Sequence, residues 1–433
     1  MRTILCAALM AAMSVTALAQ SGTNSPYSMY GLGELTEQSS GFNRGMNGLG
    51  YGFREHDQIN YLNPASYSAI DSLSFIFDAG LSLQLTNFNE NGRKLNAKNA
   101  DFEYVVAGFH AARHLGVAFG IIPFTNVGYN YANTQYVGGG ASASSTTYTN
   151  TYAGNGGLHQ VYFGAGWEPF KGFSIGANAS YLWGSINKSV INSYSDANIN
   201  TLSKYYNSTA ASYKLNFGIQ YTMQVSKKDA LTLGGVYDIG HKLNADPECR
   251  VISRNTQTSV ADTALYKIEN GLELPSTYSV GMAWKHHSKW KIGADYSFQK
   301  WSSVKYPVYN VVNNVPQYTL QEGMFEDRHK ATLGGEYCEN VNSRNFLKRI
   351  RYRVGASYAT SYLKINGQDG PKEFSVSAGF GIPIINGYNN RSILNISAQW
   401  VNREATGLIK ENTFRINIGF IFNERWFAKW KVE

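Results

Sequence analysis

The strongest constraint on this chain is an alternation. In segment 213–225 (YKLNFGIQYTMQV), Tyr213, Leu215, Phe217, Ile219, Tyr221, Met223 and Val225 fall on one side of an extended strand. Lys214, Asn216, Gly218, Gln220, Thr222 and Gln224 fall on the other. Strict period-2 patterning of this length describes a strand whose two faces meet different solvents. Soluble sandwich strands rarely keep it so long, whereas a bilayer demands about 9–11 residues tilted by about 45°.

The amino terminus fixes the compartment. Met1-Arg2 supplies a positive start, Ile4 to Val15 an apolar core, and Ala17-Leu18-Ala19 a small-residue cleavage site, so residues 1–19 read as a signal peptide. Cys6 precedes that core and is no lipidation site. No later stretch approaches 18 consecutive apolar residues, which rules out helical spanning. The expectation is an exported all-β chain that crosses a Gram-negative outer membrane.

Composition fits that expectation. Aromatic residues make up 14% and charged residues 16%, with 43 Gly and 30 Tyr, a low charge for a soluble domain. A mean hydropathy of −0.30 is no objection, because a barrel hides its apolar half in every second residue. The formal charge of +8 is scattered without a basic stripe, which argues against nucleic acid and suits anionic lipid headgroups. Cys249 and Cys338 are the mature cysteines. They map to an outer loop and to the barrel interior, so a disulfide between them is not expected. His110 and His114 flank a turn, and no metal or cofactor spacing is present.

Strands are expected at 73–86, 102–112, 115–126, 158–168, 173–186, 209–225, 230–243, 277–286, 290–301, 329–339, 349–360, 373–382, 391–401 and 413–422. That parse gives a transmembrane antiparallel barrel of about fourteen strands, with short turns after even strands and longer loops (127–157 and 187–208 among them) after most odd ones. Phe414, Ile416, Ile418, Phe420 and Phe422 would meet lipid, while Arg415, Asn417 and Gly419 face inward. The lumen is then lined by Gly, Ser, Asn and Gln, leaving space for a ligand, water or a plug. Trp290 and Trp301 bracket one strand at a spacing of roughly 28 Å along the membrane normal, as belt residues would. Their parity is opposite, so one lies beyond the regular strand.

Residues 20–72 do not alternate and carry a glycine-rich run at 45–52. A phosphate loop needs a preceding strand and a following helix, and neither is apparent. Asn63-Pro64 reads as a helix start, with Asn as N-cap and Pro at the first position. Residues 20–72 are therefore assigned to a plug inside a barrel of 73–422, followed by a tail at 423–433 containing Trp426, Phe427 and Trp430.

At this point the residues resemble a family. Asn63-Pro64-Ala65 just before the first strand is similar to the hatch motif of the FadL/TodX outer-membrane transporters of hydrophobic compounds. Ile122-Pro123-Phe124 resembles their Pro-Phe-Gly segment, with Thr125 in place of the glycine. The stretch from Leu274 to Val304 looks like a later hairpin of theirs. The resemblance implies a monomeric fourteen-stranded barrel. Asn63, Pro64 and Ala65 would carry the hatch role, and Pro123 would kink a lateral exit for long-chain fatty acids or related molecules.

By parity Arg351, Arg353, Arg415, Lys214 and Lys291 face inward, with Asp295 and Glu336 as counter-charges. They are candidates for holding a ligand carboxylate, or for tying plug to wall. Two other readings stay open: a scaffold for another envelope protein in secretion or surface attachment, and a water-filled porin. No Ser, His and acid spacing singles out an enzyme.

Overall fold

The computed structural model describes residues 22–137, 146–386 and 390–425. The expected signal peptide and Trp426, Phe427 and Trp430 of the tail lie outside the described residues. Fourteen antiparallel strands form the wall: β1 Ser74–Glu90, β2 Arg93–Ala112, β3 Leu115–Tyr136, β4 Thr147–Phe170, β5 Phe173–Tyr194, β6 Thr201–Gln224, β7 Asp229–Asp238, β8 Thr277–His286, β9 Trp290–Gln299, β10 Arg328–Tyr337, β11 Arg351–Ala359, β12 Lys372–Asn386, β13 Asn390–Glu404 and β14 Lys410–Arg425. The cylinder closes where β1 pairs with β14, from Ser74 opposite Arg425 to Asn89 opposite Lys410.

The alternation decides which side of each strand faces out. Leu81 and Leu83 of β1, Ile219 and Tyr221 of β6, Val280 and Met282 of β8, and Ile416 and Ile418 of β14 are all exposed. Between them Ser82, Gln220, Ser279 and Asn417 are buried. A soluble monomer does not expose an apolar band running around its whole circumference; a bilayer-spanning barrel does.

Above that band the strands outrun the sequence expectation. Segments 127–157 and 187–208, expected as loops, are largely continuations of β3 to β6. The expected loop 87–101 is a hairpin turning on Asn91-Gly92, both at positive φ, the pair favoured in tight hairpins. Above the band the apolar residues turn inward, Val127, Tyr129 and Tyr131 packing into one cluster, so the ladder persists while the apolar-out rhythm of the bilayer is lost. The expected strand 230–243 is shorter: β7 ends at Asp238, and His241–Leu243 leaves to pair with Leu272–Leu274.

Two placements are corrected. Trp301 is no belt residue: it lies on a short 3-10 turn, 1% exposed, its ring tilted against Tyr362 and edge-on to Phe325. Of the two bracketing tryptophans, only Trp290 is on the outer surface. Cys338 is not in the lumen but follows β10 at the short-turn end, with its thiol against the Lys348 and Arg349 carbonyls. Cys249 lies on the strand Glu248–Arg254, which pairs with the upper part of β6. Both cysteines are free.

Candidate functional site

Residues 22–72 run inside the cylinder, beginning near its long-loop end. There Tyr27 and Leu32 join a large apolar cluster with Leu243, Trp301, Phe325 and Tyr362, which roofs the lumen. Lys188 is buried in this roof and donates to the Gly31 carbonyl at 2.7 Å. Lys188→Met leaves the Gly31 carbonyl with the Tyr306 hydroxyl, at 2.9 Å, as its remaining donor, and the expected result is a modest rise in hydrogen exchange at residues 30–33 by mass spectrometry.

Lower down, the wall is cut to fit the hatch. Asn63 caps the 3-10 helix Pro64–Ala69, its side chain accepting from the Ala65 N–H at 3.1 Å. Its Nδ2 donates to the carbonyls of Tyr51 and Ile219. A Cβ added at Gly116 would lie 1.8 Å from the Tyr67 carbonyl oxygen, one at Gly176 2.4 Å from the Pro64 carbonyl carbon, and one at Gly218 2.2 Å from the Asn63 side chain. These glycines do not leave room for a ligand; the hatch backbone already occupies it. Asn63→Ala loses the cap, the bond to Tyr51 within the arm and the bond to Ile219 of the wall. The expected cost is about 1–2 kcal/mol, measured as a lower denaturant midpoint for hatch release.

Ion pairs lock the hatch to the wall. Arg351 meets Asp57 at 2.5 Å, and Lys291 meets Glu55 at 2.7 Å and Glu336 at 3.0 Å. Arg353, 2% exposed, pairs with Glu336 at 2.7 Å and donates to Asn395 at 2.6 Å. From the hatch, Arg44 reaches Glu103 of β2 at 2.8 Å. Asp295 acts differently from the counter-charge expected: its carboxylate accepts the N–H groups of Gly50 and Tyr51 at 2.6 and 2.9 Å. The glycine-rich run thus cradles an anion after all, supplied by the wall.

Burial alone would raise the Asp57 carboxyl, but the adjacent Arg351 guanidinium outweighs it and holds the group at about 2. That lies below the ordinary Asp value of about 3.9, so the pair's contribution is complete above about pH 4 and is lost as pH falls toward 2. Protease digestion of the hatch should accelerate across that window, and Asp57→Asn should remove that acceleration.

Among the described residues the wall has one seam. β2 and β3 pair only from Val105 opposite Ile121 down to the turn. Among the described residues nothing on β2 pairs with β3 above that level. There β3 carries a register shift against β4 between Pro123 and Thr125, and Thr125 and Val127 are buried. Thr125 stands where glycine was expected, and its hydroxyl accepts the Leu158 N–H at 3.1 Å across the bulge. The conformational freedom instead sits opposite, at Gly156 and Gly157, both at positive φ.

The hatch closes this seam. Glu34–Leu35 pairs antiparallel with Asn126 and Thr125, and the Thr36 hydroxyl and Gln38 amide both donate to the Pro123 carbonyl at 2.7 Å. Asn126 donates across the gap to Asp101 of β2 at 3.1 Å.

Behind the seam lies a cavity of about 300 Å³. Trp301, Tyr362 and Leu274 of the roof line one side, and Ile122 and Phe124 line the seam side. Arg328, Lys330 and Arg415 also line it, together with the acids Glu34, Glu37, Asp101, Glu103 and Glu373. Among the described residues none of these three cations is within ion-pair distance of an acid, but Glu373 faces Arg328 and Lys330, and Glu37 faces Lys330 and Arg415. Arg415 only donates to Gln84 at 3.1 Å and Gln399 at 3.5 Å. Lys214, also on this cavity, pairs with Asp238 at 3.3 Å. Of the five inward cations, Arg351, Arg353 and Lys291 therefore hold the hatch region, while Lys214 and Arg415 face the cavity. Arg328 and Lys330 were missed because they sit at the end of an expected strand, where parity is hardest to read.

Fourteen strands closed on themselves, a lumen filled by the amino-terminal arm and a seam beside a bulged third strand define a barrel of FadL-type fold. Among solved structures the chain is similar to the CymD monoaromatic hydrocarbon channel, with 13% identity and a TM-score of 0.59 over 90% of this chain and 98% of that one. It is similar to the Ralstonia pickettii toluene transporter TbuX at 15% identity and a TM-score of 0.59, covering 89% of this chain and 98% of that one. A Pseudomonas aeruginosa FadL homologue gives 12% identity and 0.57 over 90% and 98%. At such identities the likeness is one of fold.

By sequence the chain belongs to the BamG family, whose profile, described as BamG, matches residues 1–433. No curated protein matches it.

Proposed function

We propose that the protein is a hatch-gated conduit for amphipathic molecules with an acidic head, long-chain fatty acids being the type case, which leave sideways through the β2–β3 seam. The observation that carries this reading is the seam itself, backed by a cavity and covered by two pieces of the amino-terminal arm, Glu34 to Gln38 and Gly22 beside Asp101 and Asn126. The cavity has an apolar side and a polar side where Arg328, Lys330 and Arg415 stand among acids such as Glu37 and Glu373, and a ligand carboxylate would have to displace those acids from the cations to be held beside an apolar body. Its volume is at the low end for a small-ligand site, about 300–1,000 Å³. A long chain therefore needs the hatch or roof to move, which gives Asn63, Pro64 and Ala65 a gating role and Pro123 the role of shaping the exit. CymD and TbuX are, by description, a monoaromatic hydrocarbon channel and a toluene transporter, and their shared fold favours a related task.

The test is a lock across the seam. Asp101→Cys with Asn126→Cys replaces a side-chain bridge by a disulfide in oxidant. Uptake of a fluorescent fatty acid into proteoliposomes should stop, and reductant should restore it. Uptake unchanged by the lock would remove the seam from the pathway.

A second reading has its own support. The buried pairs Arg351–Asp57 and Lys291–Glu55, together with the apolar roof, suit a hatch that never moves. That would make the barrel a scaffold for another envelope protein. Solvent extraction of the purified protein separates the two: a released amphiphile favours the conduit, whereas a retained protein partner and no lipid favours the scaffold.

A further inference from the structure

The turn between β10 and β11 differs from the other short-end turns. Those described are tight, such as Arg113-His114 and the connection between β8 and β9, whereas this one runs from Cys338 to Ile350 and contains a helical turn, Phe346–Arg349. Asn345 caps that turn by accepting from the Leu347 N–H at 3.0 Å. The cap orders a segment whose apolar side chains have no protein cover: Val341, Phe346 and Leu347 are 45, 47 and 62% exposed.

Its position is fixed by a lipid-facing residue. Tyr352 belongs to the outer face of β11 with Val354 and Tyr358, all exposed. Its hydroxyl donates to the Leu347 carbonyl at 3.2 Å. The helical turn therefore sits against the outside of the wall at the edge of the apolar band, not beneath the lumen. Trp290 and Tyr337, whose rings are 4.4 Å apart, mark the same level, as interfacial aromatics do.

Cations surround these apolar groups. Arg344 and Lys348 are on the turn itself, and Lys289 is on the adjoining one, tied to it by the Cys338 N–H donating to the Lys289 carbonyl at 2.9 Å. The Arg349 guanidinium lies 6.0 Å from the Phe346 ring centre and donates to the Ser343 carbonyl at 3.2 Å. Its Nε is buried without a partner. Glu339 is the acidic group facing them, and it is engaged by Lys348 at 2.9 Å. Among the described residues Arg344, Arg349 and Lys289 make no ion pair, so the cluster keeps a net positive charge.

We infer that this turn is an interfacial anchor: Phe346 and Leu347 insert into the inner leaflet, and Arg344, Arg349 and Lys289 hold the phosphate of an anionic phospholipid. The apolar groups supply depth and the cations supply headgroup preference, as in amphipathic segments lying on a membrane. Exposed carbon on the lipid side with positive charge immediately below it matches the cross-section of a leaflet. An acidic soluble protein would match the charge but not the position.

The probe is the full-length protein in nanodiscs of phosphatidylcholine with an equal share of phosphatidylglycerol, examined by native mass spectrometry after release. Wild type should retain phosphatidylglycerol preferentially. The double variant Arg344→Gln, Arg349→Gln should lose most of that preference, at about fivefold for each cation removed. Its hatch and strand content should stay intact, because neither residue touches the lumen. Separately, Leu347→Trp should add a blue-shifted emission that is quenched by lipid brominated near the headgroup end of its chains. Equal retention of the two lipids by wild type, or a water-like emission from the introduced indole, would overturn the inference. So would loss of an acidic periplasmic partner in the double variant with lipid retention unchanged, since the cluster would then serve a protein.

Discussion

Gly176→Val should expel the hatch from the barrel. The Gly176 position sits where a Cβ would lie 2.4 Å from the Pro64 carbonyl carbon and 2.5 Å from the Ala65 nitrogen. Both are backbone atoms of a capped turn, so neither can rotate away. Gly116, Gly166 and Gly218 close the same cradle from neighbouring strands, leaving no direction for a rigid shift. Overpacking a core costs about 1–3 kcal/mol, occasionally more, and backbone contact on all sides places this variant at or above the upper end.

The expected phenotype is a barrel with unchanged strand content by circular dichroism, a hatch cut rapidly by protease, and a large rise in ion conductance. Gly235→Val is the control. Its added Cβ meets only the Ile219 side chain, at 3.3 Å, and it should behave as wild type. If Gly176→Val kept a protected hatch, the glycine cradle would have no bearing on how the hatch is held.

Arg351→Ala should loosen the hatch almost as much, by a different route. Asp57 would stay buried, its carboxylate deprived of the guanidinium 2.5 Å away. Removing one member of a buried pair costs about 3–5 kcal/mol, chiefly through the stranded partner. Asp57→Ala alone leaves Arg351 near Glu336 and should cost less, since a carboxylate still neutralises it. The double variant should recover much of the loss, because neither charge is then stranded. A double-mutant cycle on the hatch-release midpoint reads the coupling directly. Additive effects would mean the pair contributes nothing beyond its packing.

Much of the barrel was legible in the chain because membrane strands are written in a simple code. Phe414, Ile416 and Ile418 point out and Arg415 and Asn417 point in, as their alternation requires. The tops of β3 and β4 were missed although Val127, Tyr129 and Tyr131 keep a period of two, because there the apolar side faces inward to the roof, the reverse of the arrangement within the bilayer. Asn91-Gly92 was a readable turn signal passed over inside an expected loop. Trp301 misled for a related reason: an aromatic at bilayer spacing looks the same whether it meets lipid or an apolar roof.

The site was legible in part. The Asn63 cap can be read from residue order alone, since it needs only its own neighbours. The pairing of Arg351 with Asp57, or of Asp295 with the Gly50 and Tyr51 amides, joins residues more than two hundred positions apart. Only the folded wall brings them together. Thr125 likewise removes a family glycine whose freedom is restored at Gly156 and Gly157, on the opposing strand. A single-strand motif cannot show that exchange.

The most direct measurement is single-channel conductance of the purified protein in a planar bilayer, before and after the hatch is unseated. A barrel corked by its own amino-terminal arm should be nearly silent as isolated, and should open in discrete, lasting steps in the Gly176→Val form. A steady, porin-like current from the unaltered protein would contradict the account at its root, because the arm could not then be filling the pore.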